Sequence, residues 1–354
     1  MHLAANMPLA PLTTLRLGGP AGKLAVLDDI TDFPELVAQA RSGDSALRVI
    51  GSGSNTLAAD DGYPGLVVRM ATSGAHFTEA NDGDRCSVTV QAGHTLENLV
   101  QETVAEGLSG LECLTGIPGT VGSVPVQNVG AYGQEVADTI TGVGVWDWLL
   151  NQETIVSPAQ CRFGHRGSVF KNSQRWTILT VTFKLIRSIL GPPLTYRAVA
   201  ETAGCGLGDQ IGLAETAAAV RQVRAEKGMI HSRDSRTAGS VFMSPTVTPS
   251  TARQLRAQGA SVHHFSDGTT RVSASWLIQR AGFRLGQCVA TGIRICGKHY
   301  TLEADEEGTA KSFAAAAIRI AERVKHETGL TLTAEPDLLG NIPAYSQLKS
   351  LTRP

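Results

Sequence analysis

The sequence predicts an α+β architecture, and three observations carry that expectation. The first half consists of short β-branched runs broken by glycine turns. The second half holds long alanine-rich segments with charge on one side. The two kinds of element do not alternate as the strand–helix repeats of a doubly wound sheet do. The 354 residues suffice for two or three domains and for a core that encloses a large ligand.

In chain order, strands are expected at 46–50, 66–70, 86–91, 139–146 and 178–186, most of them β-branched and bounded by Gly, Asp or Asn. Between them, 95–106 sets Leu96, Leu99, Val100 and Val104 on one helical stripe, with Gly107 as the stop signal. Further on, 214–227, 251–258 and 310–327 read as helices, with strand-like pieces at 239–242 and 293–296. A composition change near 188–215 suggests domains at 12–187 and 188–342 and a tail at 343–354.

The bulk composition excludes several classes. Hydrophobic residues make up 42% and charged residues 18%, the balance of a folded chain. Net charge is −1 and no Lys/Arg block stands out, so nucleic-acid binding has no electrostatic source. The six cysteines form no C-x-x-C pair, so no metal site is expected. No run of about 20 apolar residues would span a membrane, and Met1–Gly19 lacks the apolar core of a secretory signal. A cytoplasmic protein is expected.

Two glycine-rich segments stand apart from ordinary turns. Gly51, Ser52, Gly53, Ser54, Asn55 and Thr56 directly follow an apolar strand. By itself this loop reads more readily as a tight turn than as a nest of backbone amides for a phosphate. It lacks the third glycine and the following helix of a dinucleotide fingerprint, so it is not a Rossmann loop. The second segment runs from Gly116, Ile117, Pro118 and Gly119 through Gly122 and Ser123 to Gln127, Asn128, Gly130, Ala131 and Tyr132. Its glycines forbid a regular helix, yet its other residues are mostly small or apolar. Irregular backbone that is buried needs partners for its polar groups, and a large polar cofactor would supply them.

With these loops, the ordered set L-T-T-L-R-L-G-G-P-A from Leu12, R-F-G-H-R-G-S-V-F-K from Arg162, A-G-S-V-F from Ala238, W-L-I from Trp276 and A-E-P from Ala334 resembles the MurB family of flavin-dependent reductases. The resemblance covers roughly 12–340. It implies a vanillyl-alcohol-oxidase (PCMH) type FAD-binding domain followed by a MurB-type C-terminal substrate domain, with Glu335 returning to the flavin. It implies dissociable FAD, with the 51–56 loop on its pyrophosphate and the 116–132 segment along its isoalloxazine and ribityl. NADPH would be the electron donor. The implied reaction reduces the enolpyruvyl ether of UDP-N-acetylglucosamine enolpyruvate, a small-molecule substrate of cell-wall peptidoglycan synthesis.

That reaction needs a fixed cation and a proton donor close to the flavin, in a site closed to water. The resemblance assigns the cation to Arg166, whose forked guanidinium suits a planar carboxylate; by residue type alone Arg166 reads as a surface arginine. It makes Ser240 the general acid and Glu335 the group that orients or polarises the reacting carboxylate, as a protonated carboxyl. Tyr196, Lys227 and Arg224 become contacts to the UDP portion, although Lys227 also reads as an ordinary helix-end lysine. His165 and Ser244 replace the family's usual tyrosine and asparagine near the substrate, so a reductase of secondary metabolism acting on another unsaturated acid, or a flavin oxidase, are the alternative readings.

Overall fold

The computed structural model describes residues 1–42, 46–79, 83–230, 235–265 and 267–350. They form two compact units, neither contiguous in sequence. The first comprises Met1–Ala4, Leu24–Ser52 and Leu66–His231, and the second Ala5–Lys23, Gly53–Gly65 and Ser232–Pro354. The single cut suggested by composition near 188 is thus replaced by repeated crossings of the chain. The α+β expectation is met.

The first unit is built on an antiparallel sheet ordered Gln152–Val156, Ile140–Asp147, Trp176–Arg187, Arg85–Gln91, Ala75–Glu79. The central strand pairs on one side as Val143 with Val181 and on the other as Thr182 with Thr89. Strand alternation then buries one face: Val88, Val90, Val143, Val145, Val181, Phe183 and Leu185 lie in one apolar core. On the other face the hydroxyls of Thr89 and Thr182 hydrogen-bond at 3.1 Å. The helix Leu96–Ala105 is capped by Thr95, whose Oγ1 accepts from the Asn98 amide. Leu96, Leu99 and Val100 are buried as their spacing predicts. Val104 is partly buried against the same core, and Thr103 is buried beside it with its hydroxyl donating to the Leu99 carbonyl at 2.9 Å.

The segment after Arg187 belongs to this first unit as well. Helices Arg197–Ala203 and Leu213–Glu226 enclose a satellite core of Cys113, Leu194, Val199, Ala200, Ala219, Val220 and Val223.

The second unit gathers around the helix Ala310–Thr328, which buries Phe313, Ala314, Ala317, Ile320, Ala321 and Val324. Its small residues let neighbouring elements approach closely, and Leu277 and Tyr345 join the same core. The Ala310 and Lys311 amides at its start donate to the Asp60 carboxylate at 2.7 and 2.9 Å, where a helix N-terminus favours negative charge. Two expectations change here. Of 239–242 only Phe242–Met243 is a strand, since Gly239 sits at φ +71° and turns the chain. Within the supposed tail, Pro343–Ser350 is a helix whose Tyr345 and Leu348, three apart, are buried.

Among the described residues no helix is long and apolar enough to cross a membrane, no cluster of His, Cys, Asp or Glu could hold a metal, and the six cysteines are free.

Candidate functional site

In the second unit, motifs far apart in sequence meet. The Thr14 amide donates to the Gly53 carbonyl at 3.3 Å. The Thr14 hydroxyl donates to the Thr237 carbonyl at 2.6 Å, across 223 residues of sequence. Thr237 and Gly239 lead into Ser240, which is exposed. The strand Phe242–Met243 pairs antiparallel with Thr333–Ala334, and the Glu335 amide donates to the Val241 carbonyl at 2.8 Å. Ser240 and Glu335 therefore stand on adjacent strand ends. Two residues on, the Asp337 amide donates to the Asn55 carbonyl at 2.8 Å, and Asp337–Leu339 runs parallel to Thr56–Ala58. One small assembly thus joins the Leu12–Thr14 motif, the 53–56 half of the glycine loop, A-G-S and A-E-P.

The glycines of that loop are required by close packing. A Cβ on Gly53, which sits at φ +64°, would fall 2.1 Å from the Leu12 carbonyl oxygen. In the first unit, a Cβ on Gly51 would fall 2.2 Å from Thr120 Oγ1. Between them, the buried Ser52 Oγ has no hydrogen-bond partner among the described residues. A buried hydroxyl without a partner is costly. A ligand oxygen would satisfy it.

The first unit holds the second glycine segment by many local bonds. The Gly116 amide donates to Glu97 Oε2 at 2.6 Å, and the Gly122 amide to the Ala92 carbonyl at 2.7 Å. Ser123 Oγ donates to the Thr120 carbonyl at 2.6 Å, and the Ile117 amide to the Leu114 carbonyl at 3.2 Å. Asn128, at φ +43°, donates to Glu135 and accepts from the Ala137 amide. Gly130–Ala131 closes a short hairpin with Gln134–Glu135, and Tyr132 at its turn takes φ +51°. Left-handed backbone at bulky Tyr132 is strain that the surrounding bonds sustain.

Arg166 is presented by another tight turn. Gly164 and Gly167 exchange backbone hydrogen bonds at 3.0 and 3.2 Å, leaving His165 and Arg166 at the tip. Arg166, at φ +51°, donates from Nη1 to the Gly130 carbonyl at 3.3 Å. Its guanidinium therefore lies against the glycine segment at Gly130.

The structure brings Tyr132, Tyr196 and Arg224 together. The two tyrosine rings meet edge to face at 5.5 Å. Arg224, only 6% exposed, donates to the Met229 carbonyl at 3.3 Å and interacts electrostatically with Tyr132. Burial pulls its guanidinium below the usual value, opposed by Tyr132. Burial also pushes the Tyr132 phenol up, with Arg224 acting in the opposite direction. Lys227, the residue that ends the helix Leu213–Glu226, is exposed. Sequence reasoning missed the supporting residues Glu97 and Thr237. Their types are ordinary, and only their partners mark them.

Comparison with known proteins bears on both units. A family model described as an FAD binding domain matches residues 23–149. One described as the UDP-N-acetylenolpyruvoylglucosamine reductase C-terminal domain matches 231–339. The UDP-N-acetylenolpyruvoylglucosamine reductase of Salinispora arenicola is 39% identical over 350 residues, 96% of each chain. That of Thermobifida fusca is 39% identical over 95% of this chain and 98% of its own. The crystal structure of the Thermus caldophilus enzyme, MurB, superposes with a TM-score of 0.65 at 25% identity, over 96% of this chain and all of that one. The chain belongs to the UDP-N-acetylenolpyruvoylglucosamine reductase family.

Proposed function

We propose that the protein reduces the enolpyruvyl ether of UDP-N-acetylglucosamine enolpyruvate to UDP-N-acetylmuramate, with NADPH as electron donor, in the cytoplasmic synthesis of peptidoglycan precursors. When bound, FAD supplies the hydride carrier between NADPH and the terminal methylene carbon of the substrate. The side chains do the rest. Arg166 grips the substrate carboxylate and stabilises the negative charge that grows on it as hydride arrives. Ser240 delivers a proton from Oγ to the carbon beside that carboxylate. A serine is a weak acid, so its effect comes from placement. Glu335 polarises the carboxylate region. Tyr196 and Lys227 meet the UDP diphosphate, and buried Arg224 holds Tyr132 beneath them.

The observation that carries this reading is the hydrogen bond from the Glu335 amide to the Val241 carbonyl. It brings the backbone that carries Glu335 beside the residue that follows Ser240, although sequence separates the two widely. The test is NADPH oxidation with UDP-N-acetylglucosamine enolpyruvate as acceptor, where turnover of about 1–1000 per second is expected. Ser240→Ala should keep NADPH-driven bleaching of the flavin and lose reduction of the acceptor. Oxygen consumption without need of the acceptor would instead mark an oxidase, and turnover only with another unsaturated acid would mark a different substrate.

A further inference from the structure

The end of the chain carries a device that the site does not yet explain. In the helix Pro343–Ser350, Tyr345 is fully buried and Leu348 nearly so. The Tyr345 hydroxyl donates to the Pro336 carbonyl at 3.3 Å. The Lys349 ammonium donates to the same carbonyl at 2.8 Å and to Asp337 Oδ1 at 2.6 Å. Its side chain is only 16% exposed, so the ammonium is spent on these partners and not on water. Two donors thus converge on the carbonyl oxygen of the residue that follows Glu335. On the other side, the Glu335 amide is held by the Val241 carbonyl.

We propose that Lys349, assisted by Tyr345, is a positioning residue for Glu335, clamping the Pro336 carbonyl so that the Glu335 backbone is held from both sides. Burial pushes the Tyr345 phenol up, and the charges of Asp337 and Glu335 add to the effect. The hydroxyl therefore stays protonated and remains a donor at every working pH. Proline at 336 limits backbone rotation at its own φ, so fixing its carbonyl fixes the peptide that follows the glutamate. Neither side chain need touch substrate or cofactor.

The inference rests on the proposed reductase function and concerns one half of it. Glu335 serves reduction of the acceptor, not uptake of hydride from NADPH. Lys349→Met should therefore slow oxidation of the reduced flavin by the enolpyruvyl substrate about 10- to 100-fold, the usual result of a small misplacement in a site. FAD affinity and the rate of flavin reduction by NADPH should stay within about twofold of wild type. Lys349→Arg, which can still donate to the carbonyl, should restore most of the loss. Tyr345→Phe conserves volume and should give a smaller effect of the same kind. In the apoprotein, amide exchange should quicken across 333–338 in Lys349→Met, and less elsewhere in the second unit. Equal slowing of both half-reactions, or a wild-type rate of acceptor reduction in Lys349→Met with unchanged exchange at 333–338, overturns the proposal. If the wild type itself fails to use the acceptor, the functional reading fails, while the exchange measurement still decides the clamp.

Discussion

The two units support their motif-bearing segments by different means. The first hangs its functional loops on long ladders: Trp176–Arg187 spans 12 residues and is paired on both sides. The second places Ser240 and Glu335 beside a ladder only two residues long on each strand, braced by a 19-residue helix. A long sheet spreads register over many bonds. A two-residue ladder has little register of its own and depends on the packing behind it. Residues remote from the chemistry should therefore matter more in the second unit.

The largest effect should come from the core. Phe183 in the first unit and Phe313 in the second are both fully buried, and either change to alanine should cost about 3–5 kcal/mol. The consequences should differ. Phe313→Ala should loosen the amides of Phe242–Met243 and Thr333–Ala334 together with those of Ala310–Thr328, read by hydrogen exchange, while Trp176–Arg187 stays protected. If Phe313→Ala leaves the short ladder as protected as before, the contrast between the units is wrong.

A sharper comparison lies within one loop. Gly53→Ala meets backbone at φ +64°, whereas Gly51→Ala meets the Thr120 hydroxyl, an atom that can turn aside. The first should cost about 1–3 kcal/mol in backbone strain, with further loss from the clash, and should weaken FAD binding. The second should be milder. Thermal melting of the two apoproteins and FAD titration check the order, and a reversed order would mean that the Thr120 side is the rigid one.

The smallest effect concerns acid stability in the first unit. Arg175 donates to both Asp147 carboxylate oxygens at 2.6–3.0 Å, and the Leu149 and Leu150 amides add two more bonds. The Arg175 hydrogen bond holds the Asp147 carboxyl below the usual range. A carboxyl with a depressed native pKa adds stability that is fully present above its unfolded value, about 4, and is lost as pH falls through the native value. Asp147→Asn should thus lower the melting temperature at pH 7 and narrow the gap to wild type below about pH 4. A gap that stays constant on acidification would remove Asp147 from the account.

Much of the first unit was legible in the sequence because its signals are local. The β-branched runs at 86–91 and 178–186 marked strands, and the Leu96–Leu99–Val100 spacing marked a helix with its stop at Gly107. The expected FAD-binding and C-terminal reductase domains are likewise matched by the family models. Less legible was the membership of residues in units. The 51–56 loop reads as one motif, yet Gly51 and Ser52 pack with the first unit and Gly53 onward with the second. The end of the chain read as a tail because Tyr345, Leu348 and Lys349 are too few to show a period; their burial and bonds to Pro336 reveal the helix.

Residue order alone determined the element types, the glycine positions and the family, since propensity, periodicity and motif spacing are properties of neighbouring residues. Only the tertiary structure decided which carbonyl each distant donor meets: Thr14 with Thr237, Glu335 with Val241, Asp337 with Asn55. Such pairings need chain closure over tens to hundreds of residues, and what repays that entropy is the burial of the whole core, not any signal carried by the two residues that end up joined.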